Sequence, residues 1–337
     1  MKRTTPIAWT HHTVNFWWGC TKVSPACTHC YAETLGKLFG PRLFKEPVVW
    51  GAGKPRFERL EAARAECLKF QRQAHESGKP ILVFVNSMSD WLDDEVPIDW
   101  LAYLLETLHR CPNVRFQLLT KRPENWGVRV LAAVIHMAGY RDGSISSAGP
   151  TETPMQGAQE MWEWGKESKA PPNLWLGTTV ENQAYAYERI PLLLKIPANV
   201  RFLSCEPLLG PVQLGAIRGV AEVRGDWPLM DGTNHDITFP GSPGIHWVIA
   251  GGESGGKARP THPDWFRSLR DQCEAARTPF FFKQWGDYIE AGPNSEHLPT
   301  TKTYKADVSL DVTMLKAMAI LTGNTLDGVK HEAFPQV

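Results

Sequence analysis

Short apolar runs alternate with helical stripes along most of this chain. Over 59–75, Leu60, Ala63, Cys67, Phe70 and Ala74 recur at the spacing of one helix face, and Gly78, Lys79 and Pro80 close the segment. "ILVFV" at 81–85 is continuous, apolar and rich in β-branched residues, as a strand buried on both faces requires. The alternation then repeats. Ile98, Leu101, Leu105 and Leu108 mark a helix face, "VRFQLL" at 114–119 a strand, and 126–137 a helix. "LWLGTT" at 174–179 reads as a strand followed by a helical stretch through Ile190. "VRFLSC" at 200–205 and "IHWVIA" at 245–250 are further strands. Over 264–276 a helix is expected with Phe266, Leu269 and Cys273 inward and Thr261 and Pro263 near its start, and "PFFFKQW" at 279–285 is the last strand. Upstream, 13–18 is strand-like and 31–39 reads as a short helix.

Strands separated by helices form a parallel sheet. The expected fold is therefore α/β, with about six or seven parallel strands in a sheet that is flat or curled into a partial TIM-like (β/α) barrel over 1–286, and 287–337 as a less regular appendage. Two stretches, about 139–172 (with a Trp-Glu-Trp centre) and about 210–244, are rich in Gly and Pro. They are long for connectors and read as insertions, suited to lids or substrate-binding additions.

Each apolar run is followed by polar residues, at the strand ends where parallel α/β folds carry their chemistry. They include Asn86, Ser87, Ser89 and Asp90 after the second strand, Thr120, Lys121 and Arg122 after the third, and Glu181 after the fourth. Glu206 follows the fifth, Gly251-Gly252-Glu253-Ser254 the sixth, and Lys283, Gln284 and Trp285 close the seventh. Any one Ser, Thr or Asn there can be a cap or a turn. Charges beside buried strands demand a reason, so Glu206, Glu253, Lys121 and Lys283 are the candidates for function, against the alternative of a structural ion pair. Among these, Glu206, Glu253 and Lys283 are the candidate catalytic residues.

Composition narrows the class. With 36 basic and 36 acidic residues the net charge is zero, which argues against bulk electrostatic coating of nucleic acid but allows a local basic site. No apolar run of signal or membrane-span length follows the basic start, so a cytoplasmic protein with reduced thiols and no membrane partner is expected. Seven cysteines, four of them scattered (Cys67, Cys111, Cys205, Cys273), do not suggest a disulfide framework.

The other three stand close together: "WWGCTKVSPACTHCYAE" at 17–33 holds Cys20, Cys27 and Cys30 with the spacing C-x6-C-x2-C. Thiolates this close bind metal. One reading is a structural Cys3His zinc site closed by His29, His11 or His12 in a nucleic-acid- or protein-binding factor. Another is a [4Fe–4S] cluster held by three thiolates, which leaves one iron open for a ligand. A third reading ignores the cysteines and uses Asp90, Glu181, Glu206 and Glu253 as a divalent-metal nuclease or phosphoesterase site.

A cysteine loop directly after the first strand of an α/β barrel, with aromatic residues beside the last cysteine, resembles the radical S-adenosylmethionine (SAM) superfamily. The usual spacing there is C-x3-C-x2-C, so this chain departs from the main pattern in its first gap. Over "GCTKVSPACTHCYAE", "LLTKRPENW", "GTTVENQ", "FLSCEPLLGP", "GGESGGKARPTHPDWFRSLRDQC", "PFFFKQWG" and "LDGVKHEAFP", spanning 19–335, it is similar to a phage-associated family of radical-SAM-like proteins. The resemblance implies an enzyme that needs SAM, a [4Fe–4S] cluster and an electron donor. Reductive cleavage of SAM would yield a 5′-deoxyadenosyl radical that abstracts hydrogen from a substrate. It implies Cys20, Cys27 and Cys30 as cluster ligands, and His29 or Tyr31 where an aromatic packs near the adenine. By position, Ser87, Ser89 and Asp90 are expected to contact SAM. Glu181 and Glu206 are expected at its ribose or ammonium, and Lys121 or Arg122 at its carboxylate. The superfamily's Gly-Gly-Glu motif after strand two has no counterpart there; Gly251-Gly252-Glu253 lies much later. Basic residues (Lys121, Arg122, Lys257, Arg259, Lys283) with Trp17, Trp18, Trp91 and Trp285 near strand ends would suit a flat anionic substrate, a nucleotide or nucleic-acid base, bound through Arg122, Arg259 and Trp285.

Overall fold

The structure is a computed structural model that describes residues 5–140, 154–166, 169–216, 244–292, 295, 302–305 and 312–336. Seven strands form the main sheet: β1 (His12–Val14), β2 (Ile81–Val85), β3 (Val114–Thr120), β4 (Leu174–Thr179), β5 (Val200–Cys205), β6 (Trp247–Gly251) and β7 (Phe280–Gln284). They follow one another across the sheet in chain order. The pairs β1–β2, β2–β3, β5–β6 and β6–β7 are parallel. A doubly wound sheet reverses its order at a switch point; an unbroken order means every crossover winds the same way, as in a (β/α) barrel. The fold is a partial (β/α) barrel.

The helices are α1 (Tyr31–Phe44), α2 (Leu60–Ser77), α3 (Ile98–His109), α4 (Trp126–Met137), α5 (Ala158–Gly165), α6 (Gln183–Lys195) and α7 (Pro263–Ala275), followed by the single turn α8 (Ala319–Thr322). Their buried faces follow the sequence period: Ala63, Cys67, Phe70 and Ala74 on α2, and Phe266, Leu269 and Cys273 on α7. The N-cap of α7 is His262, whose ring nitrogen accepts from Asp264 N at 3.1 Å. Thr261 is instead buried and donates to Leu208 O at 2.7 Å. Two helices outrun their expected ends. α1 continues through Pro41 and α6 through Pro191, with Leu193 buried beyond it. The expected run over 13–18 is divided: β1 ends at Val14, and Trp17–Trp18 pairs antiparallel with Phe57–Glu58.

The chain separates into two compact units. The first comprises Met1–Val23, Ala32–Gly177 and Lys195–Val200; the second comprises Ser24–Tyr31, Thr178–Leu194 and Arg201–Val337. The segment 287–337 thus belongs to the second unit. There β8 (Tyr288–Glu290), β9 (Lys302–Lys305) and β10 (Thr313–Lys316) form an antiparallel sheet. Most of the two expected insertions, 141–153 and 217–243, lies outside the described residues. Of the Trp-Glu-Trp centre, Trp164 is core, while Trp162 and Glu163 are half-buried. Trp164 stacks on Trp91 with ring centroids 6.3 Å apart and donates to Pro197 O at 2.8 Å.

His246, at the entry to β6, accepts from Arg201 N at 2.9 Å. Burial, with Arg201 beside it, pulls its pKa down to about 4. A folded pKa below the unfolded value means the unfolded chain takes up the proton first as pH falls. Stability is then full above about pH 6.5 and declines down to about pH 4. Between pH 7 and pH 5 His246 should cost about 2 kcal/mol. Denaturant unfolding at both pH values should show this loss shrinking in His246→Asn; an unchanged slope would contradict it.

Candidate functional site

The polar residues after β1, β2 and β3 brace one another within the first unit. Asn86 N donates to Val14 O at 2.8 Å, and its side-chain oxygen accepts from Phe16 N at 2.8 Å. Asn15 Oδ1 accepts from Met88 N at 2.9 Å and from Ser87 Oγ at 3.3 Å. Ser89 Oγ donates to Trp17 O at 3.3 Å. Asp90 accepts from Leu92 N, Thr120 Oγ1, Lys121 N and Arg122 Nη1 at 3.0, 2.7, 2.8 and 3.0 Å.

This bracing ends at the first cysteine. Arg122 Nη1 stands 3.8 Å from Cys20 Sγ, and Nη2 donates to Thr21 O at 2.5 Å. Asp93 Oδ2 accepts from Thr21 N at 3.2 Å and from Arg56 Nη2 at 2.7 Å, while Arg56 Nη2 also reaches Thr21 Oγ1 at 2.7 Å. Gly51 N donates to Cys20 O at 3.0 Å. Two buried Arg–Asp pairs therefore fix the backbone at Cys20 and Thr21. Burial, and then the Asp90 carboxylate, pushes the Cys20 thiol up to about 12, with Arg122 opposing. A bound cation reverses that balance, because a coordinated thiol ionises outright.

In the second unit, Pro25–Cys27 forms one 3-10 turn, and Ser24 Oγ lies 3.8 Å from Cys27 Sγ. Glu253 holds this part of the loop. His29 Nδ1 lies 3.3 Å from Glu253 Oε2. Arg259 grips the same carboxylate, with Nε on Oε2 at 2.8 Å and Nη2 on Oε1 at 2.6 Å, and Nη2 also donates to Pro25 O at 3.0 Å. Burial alone would raise the Glu253 carboxyl; the Arg259 and His29 donors hold it below the usual carboxylate range. Gly252 lies directly against the Trp285 backbone, where a Cβ would sit 1.9 Å from Trp285 O. Beside it, Lys283 Nζ meets Glu206 Oε1 at 2.6 Å, both side chains 17% exposed. Gln284 Nε2 bridges Glu206 Oε1 and Ser254 Oγ at 3.4 and 3.0 Å. Glu181 is fully buried, with Oε2 on Arg189 Nη1 at 2.9 Å and Oε1 without a hydrogen-bond partner among the described residues. Cys27 is among the charges that raise the Tyr185 phenol, after burial, Glu181 and others.

A family model described as a protein of unknown function (DUF5131) matches residues 4–335. The chain belongs to the DUF5131 family. Comparison with curated proteins and with solved structures returned no match.

In this DUF5131 protein each candidate carboxylate is paired with a cation: Asp90 with Arg122, Glu181 with Arg189, Glu206 with Lys283 and Glu253 with Arg259. Carboxylates neutralised in this way are poorly disposed to share a divalent ion. Among the described residues no group of three or more His, Cys, Asp or Glu, the three cysteines of the loop included, is gathered at metal-holding spacing. His11 accepts from Leu82 N at 3.1 Å and His12 stacks on Phe70, so both belong to the first strand's packing. Arg122, expected at a substrate or SAM, is 3% exposed and turned to Asp90, Thr21 and Cys20. Trp285, expected as a stacking platform, is buried against Phe266 and Phe282 and donates to Thr325 O at 2.8 Å. Trp17, Trp18 and Trp91 are buried as well. Tyr31 is exposed, and Ser87, Ser89 and Lys121 are half-buried. Sequence reasoning missed Arg56, Asp93 and Asn15. The acidic run Asp93-Asp94-Glu95 was a signal, but nothing in it separates buried Asp93 from exposed Asp94.

No helix among the described residues is long and apolar enough to cross a membrane.

Proposed function

We propose that this protein is a radical SAM enzyme whose cluster is held by Cys20, Cys27 and Cys30. The observation that carries the reading is the cysteine loop: three half-buried thiols within eleven residues, none in a disulfide, the first facing an arginine N–H. In kind and number these donors fit a [4Fe–4S] cluster with one iron left for another ligand. When bound, the cluster and SAM supply the radical chemistry. The chain's own residues position it. Arg122 donates towards the Cys20 sulfur and balances part of the thiolate charge, and Asp90 orients Arg122. Glu253 and Arg259 fix the loop from Pro25 to His29. Lys283, paired with Glu206 at 2.6 Å, is the proposed proton donor to the substrate. With the tryptophans in the core, recognition of a nucleotide or nucleic-acid base rests on Lys121, Lys257 and Arg259.

The test is paramagnetic resonance on iron-loaded, reduced protein. Added SAM should change the cluster signal. Stoichiometric zinc with no iron signal would overturn the reading. Lys283→Met should leave iron content unchanged and lower product formation from a nucleotide substrate about 10²-fold; equal turnover would remove Lys283 from the chemistry.

One observation favours a second reading. A metal-ligating histidine characteristically places its other nitrogen on a carboxylate, as His29 does with Glu253. A Cys3His zinc site closed by His29 Nε2 would use that arrangement, and metal analysis separates the two.

A further inference from the structure

α1, which begins directly after Cys30, is packed inside out. Its buried residues are the small ones, Ala32, Gly36 and Gly40. A Cβ at Gly36 would lie 2.4 Å from the Trp50 ring, so the helix lies close against that segment with almost no side chain between. Three of its large apolar residues face outward, Leu38 at 66% exposed, Leu43 at 49% and Phe39 at 43%, while half-buried Phe44 packs on Trp18 and Phe57. Tyr31, Leu35, Leu38, Phe39 and Arg42 follow the spacing i, i+4, i+7, i+8, i+11 and form one stripe. Six of the twelve large hydrophobic side chains left exposed among the described residues lie between Val23 and Val49. Scattered exposure needs no explanation, but a concentrated stripe marks an interaction surface.

The stretch of chain that carries the stripe is positively charged. Residues 17–54 carry Lys22, Lys37, Arg42, Lys45 and Lys54 against Glu33 and Glu46, a net +3 in a chain whose total is zero. Glu33 is already engaged by Lys22 and Lys37. A second copy of the chain would bring like charges together across a two-fold axis, whereas an acidic protein surface complements both the apolar centre and the basic surround.

We propose that the outer face of α1 docks an acidic one-electron carrier protein. The choice of an electron carrier rests on the radical SAM reading. In the docked complex the reduced carrier gives up one electron to the group held by the cysteines and is itself oxidised by one electron.

The test is Leu38→Glu combined with Phe39→Glu, which charges the stripe and leaves the Ala32, Gly36 and Gly40 face unchanged. The full chain is titrated with two acidic probes, a [2Fe–2S] ferredoxin and a flavodoxin, at low and high salt and without SAM. At least one carrier should bind, more weakly at high salt, and the double variant should bind it at least about tenfold more weakly. Reduction by that carrier should fall by the same factor, while reduction by dithionite stays at the wild-type rate. Absence of binding by both carriers, or equal binding by the double variant, overturns the proposal. Self-association or binding to anionic vesicles that the double variant abolishes, with no carrier effect, overturns it in favour of those occupants. Failure of the dithionite-reduced wild type to cleave SAM overturns the enzymatic reading, while the binding titration still decides the docking surface.

Discussion

Cys27→Ala is expected to abolish iron loading and SAM cleavage together, and to change unfolding stability by no more than about 1 kcal/mol. The thiol is half-buried in a single 3-10 turn, with its sulfur 3.8 Å from the Ser24 hydroxyl. A side chain that is not fully buried leaves no deep cavity when it is shortened. Two thiolates cannot replace three in holding a cluster, so the functional loss should be complete rather than graded. Metal analysis, SAM cleavage and denaturant unfolding on one preparation separate the outcomes. Loss of stability as large as the loss of iron would make Cys27 structural. Retained iron would remove it from the ligand set.

Arg122→Ala is expected to destabilise the protein by about 3–5 kcal/mol, the range for stripping one partner from a buried ion pair. Asp90 keeps its backbone and Thr120 donors but loses the only cation bonded to it among the described residues, at 3.0 Å. The carbonyl of Thr21 and the sulfur of Cys20 each lose an arginine donor as well. Adding Asp90→Asn removes the stranded charge and should recover part of the loss. Arg122→Lys keeps the charge but has no fork to reach Asp90, Thr21 and Cys20 at once, so it should restore stability less than a pure charge effect would. Denaturant midpoints for the four proteins check this. A midpoint unmoved in Arg122→Ala would mean the pair does not hold the loop.

The two effects fall on different parts of one loop, and they show how far the sequence could be read. The strands were legible because a strand buried on both faces leaves a continuous apolar run: 81–85, 174–179 and 200–205 match β2, β4 and β5 residue for residue. A parallel sheet was the expectation from helix alternation, and the consecutive strand order shows it curled as a partial barrel rather than doubly wound. Helix ends at proline were misread, because packing of Leu193 beyond Pro191 outweighs the missing hydrogen bond. The clustering of charge after the strands was visible, but not its pairing. Position alone could not tell that Arg122 turns inward to Asp90 while Arg259 turns to Glu253 and Pro25. Trp285 follows the last strand by one residue, where a polar neighbourhood suggested a platform; three-dimensional packing against Phe266 on α7 makes it core. The inverted packing of α1 left no plain signal either, since Leu and Phe at helical spacing ordinarily mark the inner face.

The central claim is tested most directly on protein purified without oxygen and reconstituted with iron and sulfide, then reduced and given SAM. The account predicts about four irons per chain and 5′-deoxyadenosine detectable by mass spectrometry. One tightly bound zinc per chain, with no cluster and no 5′-deoxyadenosine, would contradict it and make the cysteine loop a structural site.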